Sequence, residues 1–141
     1  MISMKLSAAD SRNLSERESV GRLATVSRAG QPHAVPVTFA VLDDRVVIGI
    51  DEKPKSTTDL KRLRNIRENG RVAVIWDRYD DDWHELWWVR ADGEASVEED
   101  GSFWDRSWAA LNDKYPQYEG RSHDGPVIVI DVDKWSGWAH G

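Results

Sequence analysis

The sequence predicts a small antiparallel β-barrel of the α+β class, and three observations lead there. Short apolar runs recur between turn signals, as in Arg22-Leu-Ala-Thr-Val26, Arg45-Val-Val-Ile-Gly-Ile50 and Val127-Ile-Val-Ile-Asp-Val132. The first three runs follow one another through tight turns, which makes a meander. Two helical patterns are then inserted, so the order reads meander, helix, hairpin, helix, strand, with six strands in all.

Ser7-Ala-Ala-Asp10 has the spacing of a capping box, so the first helix is expected from about Ala8 to Ser19. Gly21 ends it. In the strand that follows, Leu23 and Thr25 share one face. Ser27-Arg-Ala-Gly30 is a turn whose glycine supplies a positive φ, and Pro32 to Val41 returns as the second strand. Pro32 and Pro36 within that run suit an edge, bend or bulge better than a sheet centre. Asp43-Asp44 turns the chain into the third strand, Arg45 to Ile50, which is apolar enough to be largely buried.

Asp51 to Ser56 is a loop broken by Pro54, and Thr57 or Thr58 can cap a helix to about Asn69. Leu60, Leu63 and Ile66 give that helix one narrow apolar stripe, and Asn69-Gly70 stops it. Val72 to Tyr79 and Leu86 to Val97 are two long strands joined by Asp80-Asp81-Asp82. In the second, Leu86, Trp88 and Arg90 face one way and Trp87, Val89 and Ala91 the other. Both faces are bulky, so core is expected on one side and a partner subunit on the other. Gly93 marks a bulge. Ser102 can cap a helix to about Lys114, Pro116 stops it, and the last strand, Val127 to Val132, ends at Trp135-Ser-Gly-Trp138.

A chain of 141 residues is expected to form one domain, residues 1–141, able to bury roughly 70% of its unfolded surface. The net charge of −6 argues against nucleic-acid and anionic-membrane partners. The absence of cysteine excludes disulfides, thiol nucleophiles and thiolate metal sites. The N-terminal stretch lacks an apolar signal region and no segment approaches the ~20 apolar residues of a membrane span, so a cytoplasmic location is expected. His33, His84, His123 and His140 show no ligand spacing, which leaves no metal site to propose. His33 is the one of interest, because its strand can border a ligand. No nucleophile elbow, P-loop or glycine-rich dinucleotide motif is present.

The strongest chemical signal runs from Asp51 to Arg71, where seven Lys and Arg face four Asp and Glu in an otherwise acidic chain. A helix N-terminus offers unpaired N–H groups and partial positive charge, which suits phosphate. Here Lys53 and Lys55 add cations, and Ser56, Thr57 and Thr58 add hydroxyls. The alternative is a solvated helix face with Thr57 as a simple cap. The eight tryptophans also read two ways. Trp76, Trp87, Trp88, Trp104 and Trp108 suit a core or a dimer interface, whereas Trp135 and Trp138 are placed to be half-exposed and to cover a ligand.

Taken in order, Arg22 to Val26, Gly30 to Phe39, Lys53-Pro-Lys55, Leu63-Arg-Asn-Ile66 with Arg71-Val-Ala-Val74, Trp87-Trp-Val-Arg-Ala-Asp-Gly93 and Ser136-Gly-Trp138 resemble the pyridoxamine-5'-phosphate-oxidase-like split β-barrel family of FMN- and F420-binding proteins. The Lys-Pro-Lys and Trp-Trp-Val-Arg segments look most like its coenzyme F420-dependent branch. The resemblance implies a six-stranded split barrel and a homodimer with two cofactor sites at the interface. It implies that Lys53, Lys55, Ser56, Thr57 and Arg64 grip the cofactor phosphate. His33, Val35, Pro36, Val37 and Thr38 would then run beside the ring, with Trp88, Arg90 and Trp138 contributing from the strand pair and the partner's tail. The Ser-Arg-Lys phosphate motif of flavin-phosphate oxidases is missing after the third strand, which weakens a pyridoxamine phosphate assignment and an FMN cofactor. The implied activity is hydride transfer between reduced deazaflavin and a small organic acceptor. FMN-dependent chemistry and a non-catalytic flavin carrier are the alternatives.

Overall fold

The computed structural model describes residues 3–50, 57–119 and 125–140. In it the chain forms one curled antiparallel sheet with three α-helices laid against it. The strands are β1 (Ser3–Lys5), β2 (Gly21–Val26), β3 (Pro32–Val37), β4 (Ala40–Leu42), β5 (Arg45–Gly49), β6 (Arg71–Arg78), β7 (Trp87–Glu98) and β8 (Val127–His140). The helices are α1 (Ala8–Glu16), α2 (Thr57–Glu68) and α3 (Ser102–Lys114). The sheet order is β3-β2-β6-β7-β8-β5-β4, with β1 added beside the C-terminal half of β8. No helix of the described residues is long and apolar enough to cross a membrane.

Eight strands replace the expected six. One is the added β1. The other arises because Pro32 to Val41 does not stay one strand: it breaks at Thr38-Phe39. The break is stable because the Tyr115 hydroxyl takes over the ladder's work there. It accepts the Phe39 N–H at 3.0 Å and lies 3.0 Å from the Phe39 carbonyl and 2.8 Å from that of Ser19. Buried backbone groups left without such a partner would cost stability.

The edge position expected for the proline-bearing strand is where β3 lies. The bulge expected at Gly93 is also present, as a register shift between Asp92 and Gly93. A Cβ on Gly93 would sit 2.2 Å from the Asp131 carbonyl oxygen, so only glycine fits the bend.

The last strand runs on to His140 instead of ending near Val132, because β7 offers a partner for its whole length, from Trp87↔Ala139 to Glu98↔Val127. Its N-terminal half also pairs with β5 and its C-terminal half with β1. This change of neighbour opens the barrel along one side. Helix α1 stops at Glu16, three residues short of Ser19, and its Ser7 cap accepts from the Asp10 N–H at 3.1 Å as its spacing implies. The cap of α3 is Gly101 at φ 103°, not Ser102, which is the first helical residue.

Two apolar clusters result. The larger fills the barrel with Leu23, Phe39, Ile48, Leu63, Ile66, Val74, Trp76, Val89 and Ile128 among others. The smaller lies under α3 and contains Val47, Trp108, Leu111, Tyr115, Val127 and Val129. Alternate residues of β5 enter different clusters, which accounts for its continuous apolar run.

Candidate cofactor-binding site

The basic helix α2 lies against β2 and β7, with Leu63 and Ile66 buried in the barrel core. A buried polar clasp fixes its position: the Asn65 amide donates to Thr25 Oγ1 at 3.0 Å, and both residues are at least 96% buried. Thr25 in turn pairs across the sheet with His33. The register therefore brings His33 of edge strand β3 beside the cationic face of α2.

Electrostatics record that proximity. Burial first, then the charges of Lys61 and Arg62, push the His33 pKa below its ordinary 6.5. His33 Nδ1 is shielded from solvent and has no hydrogen-bond partner among the described residues. A buried ring nitrogen without a partner beside two cations is an arrangement that an anion with acceptor oxygens would complete. The residues present thus fit a phosphate-bearing group.

Strand alternation divides the predicted ring-contact row. His33, Val35 and Val37 pair with Thr25, Leu23 and Gly21 and share their inward face. The Val37 side chain is buried in the core, so only its backbone could touch a ligand. Pro36 points to the opposite, outer face, in a cross-strand row Pro36–Arg22–Ile75–Arg90–Ser136. Trp88 and Trp138 are direct partners in the neighbouring row and lie half-buried on that same outer face. The Arg90 guanidinium stands 5.7 Å from the Trp88 ring centroid and bonds Asp92 at 3.1 Å, and Ser136 Oγ beside it is buried without a hydrogen bond among the described residues. Thr38 is at neither place: its hydroxyl meets the Tyr118 hydroxyl at 2.7 Å near the end of α3.

Arg64 is exposed on α2, and Thr57 is the first residue of that helix. Lys53, Lys55 and Ser56 lie outside the described residues. Trp135 is half-buried and stacks on buried Trp76 at 5.8 Å between centroids and 22° between planes. Lys61 and Arg62 are the residues that sequence reasoning left out of the site. The signal that could have placed them is the Ser27–Gly30 turn, whose hairpin sets Thr25 opposite His33, combined with the helix stripe that faces β2.

A curled, split antiparallel barrel with a cationic helix laid against β2 and β7 defines the class of protein. The pyridoxamine 5'-phosphate oxidase family model matches residues 9–139, and the chain belongs to that family. It is 38% identical over 60 residues to the 5a,11a-dehydrotetracycline/5a,11a-dehydrooxytetracycline reductase of Streptomyces rimosus, a stretch covering 43% of this chain and 41% of the relative. The match thus spans about two fifths of that reductase's length. Among solved structures, the fold is similar to a FAD-binding protein from Mesorhizobium loti (TM-score 0.74, 24% identity, 98% of each chain). It is also similar to a FAD binding protein from Mycobacterium smegmatis (TM-score 0.64, 20% identity, 95% of this chain and 97% of that one). A heme binding protein from the same organism shares the fold as well (TM-score 0.74, 24% identity, 96% and 55%).

Proposed function

We propose that the protein is an oxidoreductase that binds coenzyme F420 and reduces a small organic acceptor. The observation that carries this reading is the 38% match to a reductase within a family of cofactor-binding split barrels. The cationic surface of α2 beside His33 supports it, because a deazaflavin cofactor needs its phosphate neutralised and its ring held flat. Bound and reduced, the cofactor supplies the hydride; the protein supplies binding, orientation and exclusion of water. Lys53, Lys55, Ser56, Thr57, Lys61 and Arg64 would hold the phosphate at the head of α2. The inward face of β3, His33 and Val35, would border the ring, and Trp88, Arg90 and Trp138 would close the site from the outer face of a second copy.

The homodimer belongs to this proposal and rests on the outer sheet face. Ala24, Ala34 and Pro36 are exposed there, beside the half-buried Ile75, Trp88 and Trp138. Small flat side chains flanked by aromatic ones suit the close approach of a second sheet. FMN is the alternative cofactor, favoured by the FAD-binding proteins that share the fold.

Titration of the pure protein with F420 and, separately, with FMN tests the reading. F420 fluorescence is expected to polarise at micromolar protein, and reduced F420 is expected to be oxidised when 5a,11a-dehydrooxytetracycline is added. A yellow protein as purified that ignores F420 would establish the FMN version. Tight binding of either cofactor without turnover of any acceptor would make the protein a carrier.

A further inference from the structure

A second cleft lies away from the basic helix, at the far end of β3. It has a volume of about 530 Å³ and is lined by Ser19, Val20 and Thr38 on one side and by Lys114, Tyr115 and Tyr118 with their neighbours on the other. That volume is within the ~300–1,000 Å³ of typical small-molecule sites. Its walls are mostly aromatic or aliphatic, and its polar atoms converge. Thr38 Oγ1 and the Tyr118 hydroxyl meet at 2.7 Å, and the Tyr115 ring stands edge-on to Tyr118 with centroids 5.8 Å apart.

Lys114 is the one cation among the described lining residues. Its Nζ lies 3.5 Å from the Phe39 ring centroid and 5.4 Å from that of Tyr115, and it makes no ion pair among the described residues. Of the acidic groups nearby, Glu16 is paired with Arg12 at 3.6 Å, and the half-buried ammonium rests on ring faces. Burial draws its pKa down to about 8, while Glu16 at the end of α1 and Glu18 just after it pull the other way. Asp113 precedes it on α3 and faces the adjoining hollow with Glu16.

We propose that this cleft binds a small aromatic carboxylate, with Lys114 as counter-ion, the tyrosine rings as packing surface and the Thr38–Tyr118 hydroxyl pair as hydrogen-bonding partner. An anion would restore to the ammonium what burial removes, and a flat ring matches walls built from Tyr115, Pro116 and Tyr118. Glu16 and Glu18 limit the preference to a single negative charge, because a dianion would meet them. The site requires no cofactor on β3 and stands or falls separately from the F420 reading.

The test uses the full chain with benzoate and its uncharged isostere benzamide, followed by protein-observed NMR at pH 7. Benzoate is expected to shift the amide signals of Thr38, Lys114 and Tyr118 and to bind about tenfold more tightly than benzamide, the ratio expected when a neutral hydrogen bond becomes a charged one. Lys114→Met keeps the apolar stem over Phe39 and should abolish the difference between the two probes; Lys114→Arg should restore it. Benzoate affinity should fall as pH rises through about 8, because Lys114 loses its proton in the free protein while the carboxylate stays ionised. Equal binding of the two probes, no binding, or shifts confined to α2 would overturn the proposal. So would an undiminished preference for benzoate in a folded Lys114→Met protein.

Discussion

The clasp between Thr25 and Asn65 is the contact on which the position of the basic helix depends, and it can be tested directly. Thr25→Val keeps the shape of the side chain and removes the acceptor, leaving the Asn65 amide buried without its partner. A buried donor stripped of its partner costs about 1–3 kcal/mol. At this chain length each kcal/mol lowers Tm by roughly 4 °C, so a fall of about 4–12 °C is expected. Asn65→Leu should cost a similar amount by removing the donor. The double variant replaces both partners by apolar groups, and such a replacement is nearly neutral when the shapes match. A double-mutant cycle from urea denaturation should therefore give a coupling of about 1 kcal/mol or more. Additivity within ~0.5 kcal/mol would show that the bond does not hold α2 in place and would refute the reasoning.

Four other outcomes follow from particular residues. The folded-state His33 pKa lies below the unfolded 6.5, so its neutral form is favoured and stability falls as pH drops below 6.5 through the folded value; an NMR titration should find the lowered midpoint, and inorganic phosphate binding beside α2 should raise it. Gly49→Ala would place a Cβ 2.6 Å from the Trp108 ring and 2.9 Å from Leu111, which should cost about 1–3 kcal/mol in thermal unfolding. Ala24→Arg puts a charge on the exposed outer sheet face; the wild type should sediment at twice the chain mass and this folded variant at once that mass, and a monomeric wild type would remove the dimer proposal. Lys55→Ala should weaken F420 binding by ~1–3 kcal/mol, measured by fluorescence anisotropy, and an unchanged affinity would move the phosphate elsewhere.

Much of this protein was legible in the chain itself because its signals are local. The Ser7 cap, the Leu63 and Ile66 stripe, the inward placement of Leu23 and Thr25 and the glycine-dependent bulge at Gly93 each follow from one residue and its near neighbours. The cationic character of the segment ahead of and along α2 is a matter of composition. What the tertiary structure decided are the features that need a distant partner. The strand from Pro32 breaks at Thr38-Phe39 because Tyr115, 76 residues from Phe39, supplies the hydrogen bonds. The last strand reaches His140 because β7 is long enough to pair with it. His33 meets Lys61 and Arg62 only through the β2–β3 register and the Asn65–Thr25 bond, and Lys114 becomes a cleft residue only once α3 packs over Phe39. Periodicity and capping are properties of neighbours in sequence; a site is a property of neighbours in space, and burial sets the charge state of its groups.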